Sequence, residues 1–99
     1  MENRIEEMTQ EREAVILEGA ISHYGIDAQI VKAIEELGEL TVELARYSNG
    51  QDNTEAIREE LADAFVMLNQ MEMIFGDVSE IEIAKLERLH RMINENASL

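Results

Sequence analysis

The sequence predicts an all-α fold, and three observations predict it. Proline is absent while Glu, Leu, Ile, Ala and Met are abundant, a composition suited to helices. Apolar residues recur at three- and four-residue spacing through long segments. Three short stretches interrupt them: YGID at 24–27, YSNGQDNT at 47–54 and FGDVS at 75–79. Each joins a helix-stopping Gly to a helix-starting Asp, Asn, Thr or Ser. Connections this short make neighbours antiparallel, so the expectation is a four-helix bundle-like single domain over residues 1–99.

Helix 1 is expected over residues 4–24, ended by Gly25, with His23 in its last turn complementing the helix dipole. Helix 2 is expected over 28–47 with Asp27 as its cap, and helix 3 over 54–75 with Asn53 or Thr54 as its cap. Helix 4 is expected over 79–96, started by a capping box of Ser79 and Glu82. At 100° per residue, Ile30, Ile34, Leu37, Thr41 and Leu44 form the expected core stripe of helix 2. Ile57, Leu61, Ala64, Leu68 and Met71 form that of helix 3.

Charge narrows the function classes. Twenty-two acidic residues against eight basic ones give a net charge of −14. Such a chain repels polyanions, which argues against binding to nucleic acid or an anionic membrane surface. The first twenty residues are too charged for a signal peptide and no apolar run is long enough to span a bilayer, so a soluble, cytoplasmic protein is expected. No cysteine is present, which removes thiolate metal sites.

The acids are concentrated in EELGEL at 35–40 and EELAD at 59–63. On helix 2, Glu35, Glu36, Glu39 and Glu43 fall opposite the expected core stripe, where a solvated acidic face is the plainest reading. Yet Glu35, Glu39 and Glu43 repeat at i, i+4, i+8, a spacing of like charges that destabilises a helix without compensation. Lys32 lies one turn before Glu36 and pairs with it in the simplest reading. Helix 3 is apolar nearly all round from Ala64 onward, so Asp63 is expected to face protein more than water. If the two helices pack antiparallel, Glu36 and Glu39 meet Glu60 and Asp63. Oxygen-only ligands on rigid helices suit a hard divalent cation, Mg²⁺ or Mn²⁺.

A chain carrying EExxE and then EExxD, with nineteen residues between the motifs, resembles the MazG-like all-α nucleoside triphosphate pyrophosphohydrolases. The resemblance runs over residues 24–91 and includes Gln29, the LGEL phrasing and the basic stretch of helix 4. It implies hydrolysis of a nucleoside triphosphate between its α- and β-phosphates, giving a monophosphate and pyrophosphate. By the same resemblance Glu36, Glu39, Glu60 and Asp63 would hold Mg²⁺. Glu35 and Glu59 would be outer ligands or, together with Glu39, would orient and deprotonate the water. Lys85, Arg88 and Arg91 would meet the substrate phosphates, or equally serve the dipole of helix 4. The family often places an Asn four residues after the helix 4 Lys, where this chain has Leu89. A phosphoribosyl-ATP pyrophosphohydrolase-like enzyme shares similar acids, and a non-enzymatic acidic helical interaction protein is the alternative from another class.

Phe65 and Asn69 stand where a base contact or ordinary packing would serve equally, and Met67, Met71 and Met73 suit adaptable packing. Helix 3 is too apolar to be surrounded by three others, so a homodimer or a homotetramer built as a dimer of dimers is expected, with the pocket near the subunit interface.

Overall fold

The computed structural model describes residues 7–95, all of whose regular structure is helical. Four helices follow in chain order: α1 Gln10–Tyr24, α2 Ile26–Ser48, α3 Thr54–Phe75 and α4 Ser79–Asn94. The expected first residues of helix 1 and the last of helix 4 lie outside the described residues. Within them α1 starts at Gln10, because Thr9 in extended backbone accepts from the Arg12 amide at 3.0 Å and closes the first turn. No described helix is long and apolar enough to cross a membrane.

A single residue turns the chain from α1 into α2. Gly25 has φ 96° and ψ 151°, a region open essentially to glycine alone, and its amide closes α1 by donating to the Ile21 carbonyl. The expected cap Asp27 therefore lies inside the first turn of α2, where its charge favours the helix dipole, and Gly25 takes the cap position. Asn53 does occupy the cap position of α3 but uses its side chain elsewhere. At α4 the expected capping box is replaced by an Asx turn. Ser79 is the first helical residue, and Asp77 accepts both its amide, at 3.2 Å, and its hydroxyl, at 2.7 Å. These bonds hold the Asp77 carboxyl below the usual carboxylate range.

The two long helices α2 and α3 form an antiparallel hairpin, with α1 packed across both near the end where α2 starts. Cross-hairpin contacts fix the register: Gln29 meets Gln70, and Glu43 meets Asn53. The seam between the helices is not the apolar stripe expected from the sequence. In α2 the buried residues are Gln29, Ala33 and Glu36, followed by half-buried Leu40 and Glu43. In α3 they are Ala64, Met67 and Gln70, with half-buried Glu60. Of the expected core residues Ala64 is buried and Ile30, Ile57 and Met71 are half-buried, but the others are turned out: Ile34 is 66% exposed and Leu68 46%, with Leu37, Thr41, Leu44 and Leu61 also open.

Helical geometry gives the reason. Ile34, Leu37, Thr41 and Leu44 each follow one residue after a seam position of α2, and Leu61, Phe65 and Leu68 do the same in α3. In an antiparallel pair of right-handed helices, one step forward turns both chains toward the same side. One step backward turns them to the other, and there stand Lys32, Glu35 and Glu39 of α2 with Glu59 and Asp63 of α3. The hairpin is thus two-faced, apolar on one side and acidic on the other.

The fourth helix stands clear. α4 packs against none of the other three and buries none of its residues. Among the described residues the helices that pack on one another are α1, α2 and α3, and the radius of gyration is 17.0 Å against about 13 Å for a compact chain of this length.

Candidate metal centre

Three carboxylates from the two long helices converge at the middle of the hairpin. Glu36 of α2 and Glu60 and Asp63 of α3 each offer an oxygen, and these atoms lie within 4.8 Å of one another. The convergence follows from the register: sequence positions that sum to roughly the same value face each other, and Glu36 faces the turn from Glu60 to Asp63 just as Gln29 faces Gln70.

The three sites differ in environment. Glu36 is the buried member, 9% exposed, while Glu60 is half-buried and Asp63 is exposed. This corrects the expectation that Asp63 faces protein and the placement of Glu36 opposite the buried stripe of helix 2. The physical reason is the seam: Glu36 belongs to the stripe of Gln29 and Ala33 and points at α3, whereas Asp63 precedes the seam residue Ala64 and opens to the acidic side. One oxygen of Glu36, Oε2, accepts from Lys32 at 3.2 Å. The other, Oε1, is buried without a hydrogen-bond partner, and so is Oε1 of Glu60. Leaving an acceptor buried and unpaired is unfavourable, more so when it is charged. Two such atoms beside a third carboxylate form a donor set whose charge a cation would offset.

The electrostatics agree. Desolvation raises the pKa of Glu60, and the neighbouring charges of Glu39, Asp63 and Glu36 raise it further. Lys32 is pushed the other way in charge terms: its bond to Glu36 and the negative charges of Glu36 and Glu35 hold its ammonium protonated beyond the ordinary lysine range. Glu39 is exposed and close enough to perturb Glu60. Glu35 is exposed and lies 3.7 Å from the Lys32 ammonium. Glu59 is exposed, one residue back from Glu60. These three line the acidic side around the cluster without joining it.

Other sequence candidates separate from the site. Glu43 is satisfied by the protein itself: Oε1 accepts from Asn53 at 2.7 Å and Oε2 from Arg46 at 2.8 Å. Lys85, Arg88 and Arg91 stand on α4, and among the described residues no ion pair joins them to α2 or α3. Phe65 and Asn69 share one surface away from the carboxylates. Phe65 borders an apolar cleft of about 640 Å³ between α3 and α4 that also takes in Phe75, Val78 and Ile81. Asn69 reaches both that cleft and the α1 contact. Neither adjoins the carboxylates. Among the described residues His90 has a hydrogen-bond contact with Asn94, one turn on.

The residues that sequence reasoning missed are the buried glutamines. The amide of Gln29 donates to Oε1 of Gln70 at 2.7 Å, with both side chains buried. The signal was available: Gln29, Ala33, Glu36, Leu40 and Glu43 repeat at helical spacing, a stripe as regular as the apolar one. Comparison of the chain with protein-family profiles, with characterised proteins and with solved structures finds no match.

Proposed function

We propose that this chain is a divalent-cation-dependent nucleoside triphosphate pyrophosphohydrolase of the MazG-like kind, working as a homodimer or homotetramer in the cytoplasm. The observation that supports this best is the pair of buried, unpartnered oxygens of Glu36 and Glu60 beside Asp63. The residues fit a hard cation: all donors are oxygens, two are desolvated, and the set is more negative than its single lysine offsets. The resemblance of the EExxE and EExxD motifs to that family supplies the reaction.

In this reading Glu36, Glu60 and Asp63 hold Mg²⁺ or Mn²⁺, with Glu39 as a further ligand from the same side. The ion, when bound, neutralises phosphate charge and lowers the pKa of a water. The chain's own contribution is position. Glu36 and Glu60 are fixed by the hairpin seam, so the donor set exists before substrate arrives. Glu35, Glu39 and Glu59 border the open side, where a water in line with a scissile anhydride must be oriented and its proton accepted. The raised pKa of Glu60 makes it a ready proton holder in the metal-free protein, and its ionisation accompanies metal binding. A role for Lys85, Arg88 or Arg91 toward substrate phosphate requires a second copy of the chain, since α4 stands clear of its own hairpin.

A screen of pyrophosphate release over canonical, deoxy and modified nucleoside triphosphates, with phosphoribosyl-ATP included, tests the reading. Turnover with Mg²⁺ or Mn²⁺ that is lost in Glu39→Gln supports it, and turnover of phosphoribosyl-ATP alone moves the chain to the related class. No turnover on any of them, with Glu39→Gln unchanged in metal response, abandons the enzyme. One observation favours the acidic interaction protein instead: Glu35, Glu39, Glu59 and Asp63 are all exposed, as a surface for a basic partner would be. That reading leaves the buried oxygens of Glu36 and Glu60 without a purpose.

A further inference from the structure

Lys32 stands on the acidic side of the hairpin and reaches the carboxylate cluster from one turn before it. Its ammonium lies 3.2 Å from Oε2 of Glu36 and 3.7 Å from Oε1 of Glu35. Among the described residues no other base pairs with Glu36. Helix support does not account for the pair, because a lysine placed before a glutamate at this spacing contributes less than the reverse order. Nor does Lys32 neutralise the cluster, since the three carboxyl groups of Glu36, Glu60 and Asp63 stand against this one base. What the ammonium does is divide the two oxygens of Glu36. Oε2 is taken, while Oε1 is buried without a partner, as is Oε1 of Glu60.

We propose that Lys32 sets the cation selectivity of the centre: by tying up Oε2 it limits Glu36 to coordination through one oxygen, which favours Mg²⁺ or Mn²⁺ over Ca²⁺. The inference rests on the metal reading above and adds to it a residue that touches no ion. Ca²⁺ gathers about six to eight oxygens and readily takes a carboxylate by both of them, whereas Mg²⁺ is smaller, keeps several waters and needs only one or two carboxylates. An ion gripping both oxygens of Glu36 would share Oε2 with the ammonium. Two cations would then meet on one atom of a side chain that is 9% exposed, where water screens them little. An ion held through Oε1 alone avoids that encounter, and its waters lie toward the open side, where Glu39 and Asp63 are exposed. Lys32 is thus a positioning residue: it acts on the ion through Glu36 and decides how many oxygens that ligand can give.

The test compares binding of three ions by the full chain, without substrate. Mn²⁺ binding is read from the paramagnetic resonance of the free ion, and Mg²⁺ and Ca²⁺ are measured by the Mn²⁺ they displace, for wild type, Lys32→Met and Lys32→Arg. Removing a positive charge strengthens the binding of every divalent cation alike, so the readout is the ratio of Ca²⁺ to Mg²⁺ affinity and not either affinity alone. The expected result is a ratio that rises about tenfold in Lys32→Met, the lower end of what one further charged contact contributes. Lys32→Arg, which keeps a cation and a donor at the same place, should retain the wild-type ratio. Lys32 is exposed, so neither change disturbs the seam, and Lys32→Ala repeats the comparison should Lys32→Met fail to fold. A rise in affinity shared equally by Ca²⁺ and Mg²⁺ overturns the proposal, because Lys32 then acts as a charge alone, and leaves the metal reading standing. The same holds if Lys32→Arg shifts the ratio as far as Lys32→Met does. Absence of Mn²⁺ binding in all the proteins overturns the metal reading and the selectivity with it.

Discussion

The side-chain amide of Gln29 donates to Oε1 of Gln70 at 2.7 Å across the α2–α3 seam, and both residues are buried. This bond fixes the register that sets Glu36 opposite Glu60 and Asp63. A slip of one helical turn would separate the three carboxylates, so a structural pair determines whether the candidate centre exists.

Breaking that pair one-sidedly should cost more than removing it. Gln70→Ala leaves the Gln29 amide buried and unpaired and is expected to destabilise the chain by about 1–3 kcal/mol. The double change Gln29→Leu with Gln70→Leu replaces both partners by apolar groups and should lie closer to wild type. Urea unfolding of Gln29→Leu, Gln70→Leu and the double variant, compared as a cycle, checks this. Additive losses in the double variant would show that the bond does not couple the helices.

The pKa of Glu60 makes a signed prediction for the metal-free protein. Its folded-state value is raised, mainly by desolvation and then by Glu39, Asp63 and Glu36. The folded state therefore holds this proton more tightly than the unfolded state. The stabilisation it contributes is fully present below the unfolded value near 4.5 and is lost as pH rises through the raised folded value. Glu60→Gln should flatten that part of the profile and make the metal-free chain more stable than wild type at neutral pH. Denaturant unfolding of both proteins in chelator across this window is the measurement. A wild-type curve that gains stability relative to Glu60→Gln as pH rises would contradict the assignment.

Asp77 titrates in the opposite sense. Its lowered pKa means that its contribution is present above the unfolded value of 3.8 and is lost as pH falls through the lower folded value. Asp77→Ala should fray the first turn of α4 at neutral pH, read as faster amide exchange at Ser79 and the residues after it, and leave α2 and α3 unaffected. Ser79→Ala should produce a smaller change, because the backbone half of the Asx turn survives.

Gly25 holds a backbone conformation that other residues rarely adopt. Nothing within 4 Å would meet an added Cβ there, so the cost of Gly25→Ala is conformational alone. With φ at 96° and ψ at 151° it should be about 1–3 kcal/mol. Thermal unfolding of the variant checks it, and a midpoint equal to wild type would mean that α1 and α2 can join in another geometry.

Much of the fold was legible in the sequence. The bounds of α3 and the start of α4 follow from YSNGQDNT and FGDVS, where glycine and small polar residues leave the chain little choice. The start of α2 was displaced because Gly25 alone turns the chain, and Asp27 is absorbed into the helix rather than capping it. The side on which each long helix is buried was not legible. An apolar stripe such as Ile34, Leu37 and Leu44 marks a surface that will be covered, but not by what. Here the intrachain seam keeps Ala64 of the expected stripe and is otherwise made from Ala33, Met67 and side chains that satisfy one another, Gln29 with Gln70 and Glu43 with Asn53. The same inversion explains the candidate site. The apolar surroundings of Asp63 suggested a carboxylate out of water, and the structure has one nearby, but it is Glu36 on the facing helix.

Metal response tests the central claim most directly. Thermal unfolding is followed in chelator and in millimolar Mg²⁺ or Mn²⁺ for wild type, Glu36→Gln and Asp63→Asn. If Glu36, Glu60 and Asp63 share a cation, the wild-type midpoint rises with metal, Asp63→Asn responds little and Glu36→Gln does not respond. A wild-type midpoint indifferent to both ions, or an equal rise in all three proteins, would contradict it.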